Sequence, residues 1–195
     1  LSVVKGSFFT GGMEWPNMVL ISDSLDDQQE QNYVIIHEIA HQWWYALVGN
    51  DEYADAWLDE GLSEYCTTLF FKLNPNYGED FDVLIDSAIK NYVHFEKVFL
   101  SVTGSVDGRM SRALNEFNTE PEYVMCTYTK GVIMFNSICE SVGEKKFFKA
   151  LKFYFSENKY KNATPADLIY CFSKATGQNL EGFILSFLNG LVVIK

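Results

Sequence analysis

The 195-residue sequence predicts an α+β domain with its β structure at the front, on three observations. The first 25 residues hold two short β-rich runs, Ser2–Thr10 and Met18–Ser22, the second set off by Pro16-Asn17. From Asp26 onward apolar residues recur at helical spacing between turn residues. The composition, 48% hydrophobic and 16% aromatic, is enough for one sizeable core and excludes a disordered or fibrous chain.

The two β runs are joined by the loop Gly11-Gly12-Met13-Glu14-Trp15-Pro16. A helix is expected from Asp26 to about Val48, with acidic residues in its first turn and Gly49-Asn50 as its stop. A second runs from about Ala56 to Leu73, ended by Asn74-Pro75-Asn76, and a third from Phe81 to Phe99. Ser101 to Pro121 is polar and contains glycine, which reads as a long surface loop. Four more helical patterns follow, Tyr123 to Val142, Glu144 to Asn158, Pro165 to Ala175 and Leu180 to Leu188, parted by Gly143, Asn162-Ala163-Thr164-Pro165 and Gly177. No repeat or low-complexity tract interrupts them. One domain is therefore expected, with a β portion and loop over 1–25, helices bearing the polar motifs over 26–142 and a helical tail over 143–195.

A formal net charge of −11 repels phosphate backbones and anionic lipid, which argues against nucleic-acid and membrane-surface roles and favours cationic ligands. Cys66, Cys126, Cys139 and Cys171 are widely spaced, with no Cys-x-x-Cys pair, and read as small buried hydrophobes in a reducing, cytoplasmic setting. No apolar run reaches the length of a membrane span. The sequence begins at Leu1 with no initiator Met and reads as a fragment of something longer.

The chemistry concentrates in Val34-Ile35-Ile36-His37-Glu38-Ile39-Ala40-His41-Gln42-Trp43-Trp44. On a helix, positions i and i+4 share one face a turn apart, so His37 and His41 can converge on one ion. The apolar flanks imply a buried helix whose polar residues need partners. Only three histidines occur in the chain and two are here. A third ligand is available in Trp57-Leu58-Asp59-Glu60-Gly61, where Glu60 follows His41 after 18 intervening residues and a turn at Gly49-Asn50. Two imidazoles and a carboxylate suit Zn²⁺ and leave one position for water. Glu38, between the two ligands, is then the base that takes the proton of a water acidified by the metal.

His37-Glu38-x-x-His41 with Glu60, together with Gly11-Gly12-Met13-Glu14 upstream and Tyr128-Thr129-Lys130-Gly131 downstream, resembles the aminopeptidase N family of gluzincin metallopeptidases. The resemblance implies a thermolysin-like catalytic domain within a longer protein that carries further domains. It also implies removal of N-terminal residues from peptides with a free N-terminus. It assigns Tyr128 to the developing oxyanion, Glu14 to the substrate α-amine, and Gly11, Gly12 and Met13 to the backbone of an extended substrate. Two departures bear on specificity: the family's loop usually reads Gly-Ala-Met-Glu-Asn, and Asp59 stands where it has Asn. Glu64, one turn beyond Glu60, is a candidate to orient a ligand imidazole, whereas His94 reads as a structural or surface residue. The alternatives are a zinc endopeptidase, another zinc hydrolase of the same fold, or a peptide-binding module without turnover. A purely structural zinc is disfavoured because such sites are usually closed by Cys and His.

Overall fold

The computed structural model describes residues 1–8 and 10–195, and its architecture is α+β. Strands β1 (Ser2–Gly6), β2 (Gly12–Met13) and β3 (Met18–Ser22) form a small sheet in the order β1-β3-β2, with β1 parallel and β2 antiparallel to β3. The strand expected over Ser2–Thr10 thus ends at Gly6, and Phe9 lies outside the described residues. β2 falls inside the expected loop, and Asn17, at φ 63°, turns the chain back into β3.

Helix α1 (Gln28–Ala40) starts where Asp27 accepts a hydrogen bond from the Glu30 amide at 2.8 Å. It ends eight residues short of the expected Val48. The Gln42 and Trp43 amides already reach back only three residues, to Ile39 and Ala40. Tyr45, a non-glycine residue at φ 128°, then reverses the chain, and Val48–Gly49 become β4, paired in parallel with β5 (Lys161–Asn162). Helical periodicity persists through this stretch because the turn still buries Trp44 and Val48.

A short α2 (Glu52–Asp55) and a 3-10 turn (Ala56–Leu58) lead into α3 (Glu60–Leu73). α4 (Phe81–Thr103) runs one turn past Phe99 to Gly104, whose φ of 78° a glycine adopts without penalty. The following segment is not a free surface loop. Arg112 is buried and pairs with Glu122 at 2.9 Å and Asp107 at 3.2 Å, while the Met110 amide donates to the Leu188 carbonyl. Loop polarity in the sequence concealed these internal partners.

α5 (Glu120–Val124), a π-helical segment (Met125–Thr129) and α6 (Lys130–Val142) make one helical column over the expected Tyr123–Val142. α7 (Glu144–Asn158), α8 (Pro165–Thr176) and α9 (Glu181–Leu188) match the remaining patterns to within a residue. The core runs from Trp57, Leu62 and Tyr65 through Phe135 and Ile138 to Phe147, Phe172 and Ile184. All four cysteines are free, and three of them are buried. Among the described residues no helix is long and apolar enough to cross a membrane.

α3 and α6 meet backbone to backbone. A Cβ on Gly131 would lie 2.5 Å from the Gly61 Cα, closer than atoms pack. Both glycines sit beside functional candidates, since Gly61 follows Glu60 and Gly131 lies three residues after Tyr128. Gly131→Ala is accordingly expected to cost about 1–3 kcal/mol by overpacking, read as a lower urea midpoint with an unchanged slope. An unaltered midpoint would show that the helices separate at no cost.

Candidate metal centre

His37 projects from the last turn of α1, His41 caps its end, and Glu60 opens α3. His37 Nε2 and His41 Nε2 lie 3.0 Å apart, and Glu60 Oε2 is 3.2 and 3.1 Å from them. This is the group of residues that can hold a metal among those described.

Each imidazole is fixed from behind. His41 Nδ1 is 3.0 Å from the Trp44 carbonyl oxygen and 3.1 Å from Ser63 Oγ, so its N–H donates there and Nε2 keeps its lone pair for the cluster. The tightened turn after Ala40 is what brings the Trp44 carbonyl under this ring. His37 Nδ1 lies 2.7 Å from Glu64 Oε2, a close charge contact without the alignment of a good hydrogen bond. Glu64 is held in turn by Tyr33, whose hydroxyl donates to Glu64 Oε1 at 2.7 Å. Glu64 was the weaker expectation of the sequence; Tyr33, Ser63 and the Trp44 carbonyl were not expected. Tyr33 could have been found from its place one turn before His37 on the same helix face.

Burial alone would push both imidazoles down, but hydrogen bonds to Glu60, with the nearby Glu64 charge added at His37, more than offset it and hold both up. Burial works to raise Glu60, and the two imidazoles overcome it and keep its carboxyl well below the usual range. Two ring nitrogens facing each other beneath a carboxylate need a cation between them, and the donor set fits Zn²⁺.

Beside the cluster opens a cavity of about 470 Å³ lined by Gly11, Gly12, Met13, Glu14, Glu38 and Tyr128 as well as the three candidate ligands. Glu38 is 5% exposed with Oε2 unpartnered, and burial raises its carboxyl to about 7 against the pull of His37 and His41. A Cβ on Gly12 would run into the Glu38 carboxylate, so the glycine standing at the family's alanine leaves space that Glu38 fills. Glu14 is 7% exposed and lines the cavity, while its neighbour Trp15, 51% exposed, turns outward. Burial raises Glu14, with His41 pulling the other way. The Tyr128 ring stacks at 5.9 Å on His37 and meets Tyr123 edge-on at 5.7 Å. Burial and the neighbouring Glu60 push its phenol up, so it stays protonated. A π-segment adds a residue to the turn and so re-aims side chains, here placing Tyr128 over the cluster. Asp59 is buried away from solvent, accepts from Asn50 Nδ2 at 2.9 Å and is raised to about 7, first by burial and then by Glu60. His94 is exposed on α4 and is not among the lining residues.

The fold and this cluster define a helix-borne metal centre of the His-Glu-x-x-His type with a distant glutamate. The chain belongs to peptidase family M1, whose domain model matches residues 2–187. It is 31% identical over 175 residues to a leucine aminopeptidase 2-1 of Meyerozyma guilliermondii, covering 87% of this chain and 28% of that protein. Aminopeptidase N of Rattus norvegicus is 30% identical over 151 residues, covering 75% of this chain and 15% of that protein. The chain therefore spans under a third of these relatives. An M1 zinc metallopeptidase of Deinococcus radiodurans superposes with a TM-score of 0.73 at 20% identity, over 98% of this chain and 39% of that one.

The geometry predicts one zinc per chain by atomic spectroscopy. His41→Ala should lower affinity by about a hundredfold or more, since two remaining ligands rarely hold the ion. Full occupancy in that variant would remove His41 from the ligand set.

Proposed function

We propose that this chain is the catalytic core of a zinc aminopeptidase, removing N-terminal residues from peptides with a free N-terminus. In this reading residues 1–25 supply the β portion and substrate loop, 26–142 the active-site helices and 143–195 a helical tail of one domain. The observation that carries it is the meeting, in one cavity, of the three-donor cluster with two separate carboxylates, Glu38 and Glu14.

His37, His41 and Glu60 would hold the zinc, which when bound supplies a Lewis acid that polarises a carbonyl and acidifies water. Glu38 takes the proton of the attacking water and passes it to the departing amine. Its free Oε2, buried beside the cluster, suits that relay. The protonated Tyr128 hydroxyl donates to the oxygen that gains charge. Glu14 grips the substrate α-amine, which with a pKa near about 8 is mostly cationic at neutral pH. β2 is an edge strand of its sheet, so an extended substrate can lie along Gly11, Gly12 and Met13.

Support also comes from the named activities of the relatives, and from the Deinococcus radiodurans protein, seen in one structure bound to a Tyr-Ser-Ala substrate. The greater length of those relatives supports further domains in the full-length protein. Four free thiols and no disulfide among the described residues favour a cytoplasmic, reducing location.

Two substitutions test the reading. Glu38→Gln is expected to keep the metal and lower kcat by about 10²–10⁴-fold, because the amide cannot accept the proton. Retained turnover would assign the base elsewhere. Glu14→Ala should depress kcat/KM for a free peptide by tens to thousands of fold, the cost of about 2–5 kcal/mol for losing one partner of a buried charge pair. The acetylated peptide should be a poor substrate for both proteins and unaffected by the change. Equal rates on free and acetylated peptide would leave a zinc hydrolase without N-terminal selectivity.

A further inference from the structure

Gln42 directly follows the candidate ligand His41, yet no polar atom of its side chain is turned to the cluster. All of its side-chain hydrogen bonds go to the loop that carries Glu14. Gln42 Oε1 accepts from the Asn17 amide at 2.8 Å, and Nε2 donates to the carbonyl oxygens of Trp15 at 3.4 Å and Glu14 at 3.5 Å. The first bond is strong, the other two long and shared by one amide group. The rest of the segment is held by main-chain bonds at its far end, where the Ser2 amide donates to the Asn17 carbonyl at 2.8 Å. It follows the two-residue strand β2 and contains the exposed Trp15 and the positive-φ turn at Asn17, closed by the Met18 amide on the Trp15 carbonyl at 3.0 Å.

The packing of this segment gives the clamp its consequence. Glu14 is buried in the cavity beside the cluster while Trp15 next to it is half exposed, so the placing of Glu14 depends on how this segment is seated. β3 holds the loop through Gly12 and Met13, and the clamp begins at Glu14, just beyond the last residue paired with β3. Gln42 is half-buried and stands outside the apolar core, so its contribution is these bonds rather than packing.

We infer that Gln42 is a positioning residue for substrate selectivity: it ties the Glu14 loop to the turn that ends the His37–His41 helix, setting the distance between amine anchor and metal cluster. An aminopeptidase measures one residue from that anchor to the bond it cuts, and in this chain the Gln42 side chain bonds the anchor's own carbonyl and the residues after it. The inference rests on the reading of Glu14 as the amine anchor, and its test separates the two.

The experiment compares wild type, Gln42→Met, Glu14→Ala and the double variant on one peptide in free and acetylated forms, with amide hydrogen exchange followed over residues 10–18. Met matches the length of Gln without its hydrogen bonds. Gln42→Met should raise KM for the free peptide about tenfold with kcat little changed, as expected for losing one good and two weak bonds. The acetylated peptide and the zinc content should be unmoved. In the Glu14→Ala background the same change should add nothing, since it acts through a carboxylate already removed. Exchange at the Asn17 amide should quicken. An equal loss on both peptides, a full additive loss in the double variant, or unchanged exchange at Asn17 would each overturn the inference. Should Glu14→Ala itself spare free-peptide turnover, the anchor reading falls, and exchange at Asn17 still judges the clamp.

Discussion

Three donor atoms from two helices must meet within about 3 Å, and the approach of α1 to α3 is the constraint on which the rest of the structure depends. Four residues in the first turns of α3 serve it: Glu60 enters the cluster, Gly61 admits α6, Ser63 reaches His41 and Glu64 backs His37. Because α6 touches α3 through glycine, the π-segment ahead of it lies against the same pair of helices, and the Tyr128 ring settles on His37. The site is thus held by crossings of rigid elements, which fix geometry better than loops do.

Charge is handled differently on the two sides of the molecule. Beyond α4, the buried Glu122 of α5 is neutralised by Arg112 of the preceding loop, whose guanidinium also stacks 3.9 Å over Phe117. Around the cluster no lysine or arginine among the described residues lines the cavity, although Glu14, Glu38, Glu60 and Glu64 all do. Buried carboxylates without a cation are costly, and two imidazoles cannot serve all four at once. A divalent ion balances the account, which makes burial of so much acid physically reasonable in a chain already at −11.

What the sequence made legible follows from periodicity and spacing. The later helices were readable because glycines and a Thr-Pro start punctuate them, as at Gly143, Thr164-Pro165 and Gly177. The proximity of Glu60 to the two histidines was readable from the i, i+4 rule and the reach of a helix pair. Three things were not. The end of α1 was hidden because the turn through Tyr45 keeps apolar residues at helical intervals while its backbone leaves the helix. The two-residue strands β4 and β5 are too short to alternate, and exist only as a long-range pair. The supports of the rings, Tyr33, Ser63 and a main-chain carbonyl, are ordinary residues whose role arises from tertiary placement.

The missing methyl at position 12 reaches further than its size suggests. The Glu38 carboxylate occupies the volume an alanine would fill, so the loop's side-chain bulk and the rotamer of the acid on α1 compete for one space. Between relatives that differ only by this methyl, the acid would have to swing to another rotamer, carrying its carboxylate oxygens elsewhere in the groove. Reactivity at a shared motif can in this way drift through a neighbour that does no chemistry, and a survey of the motif alone would record no change.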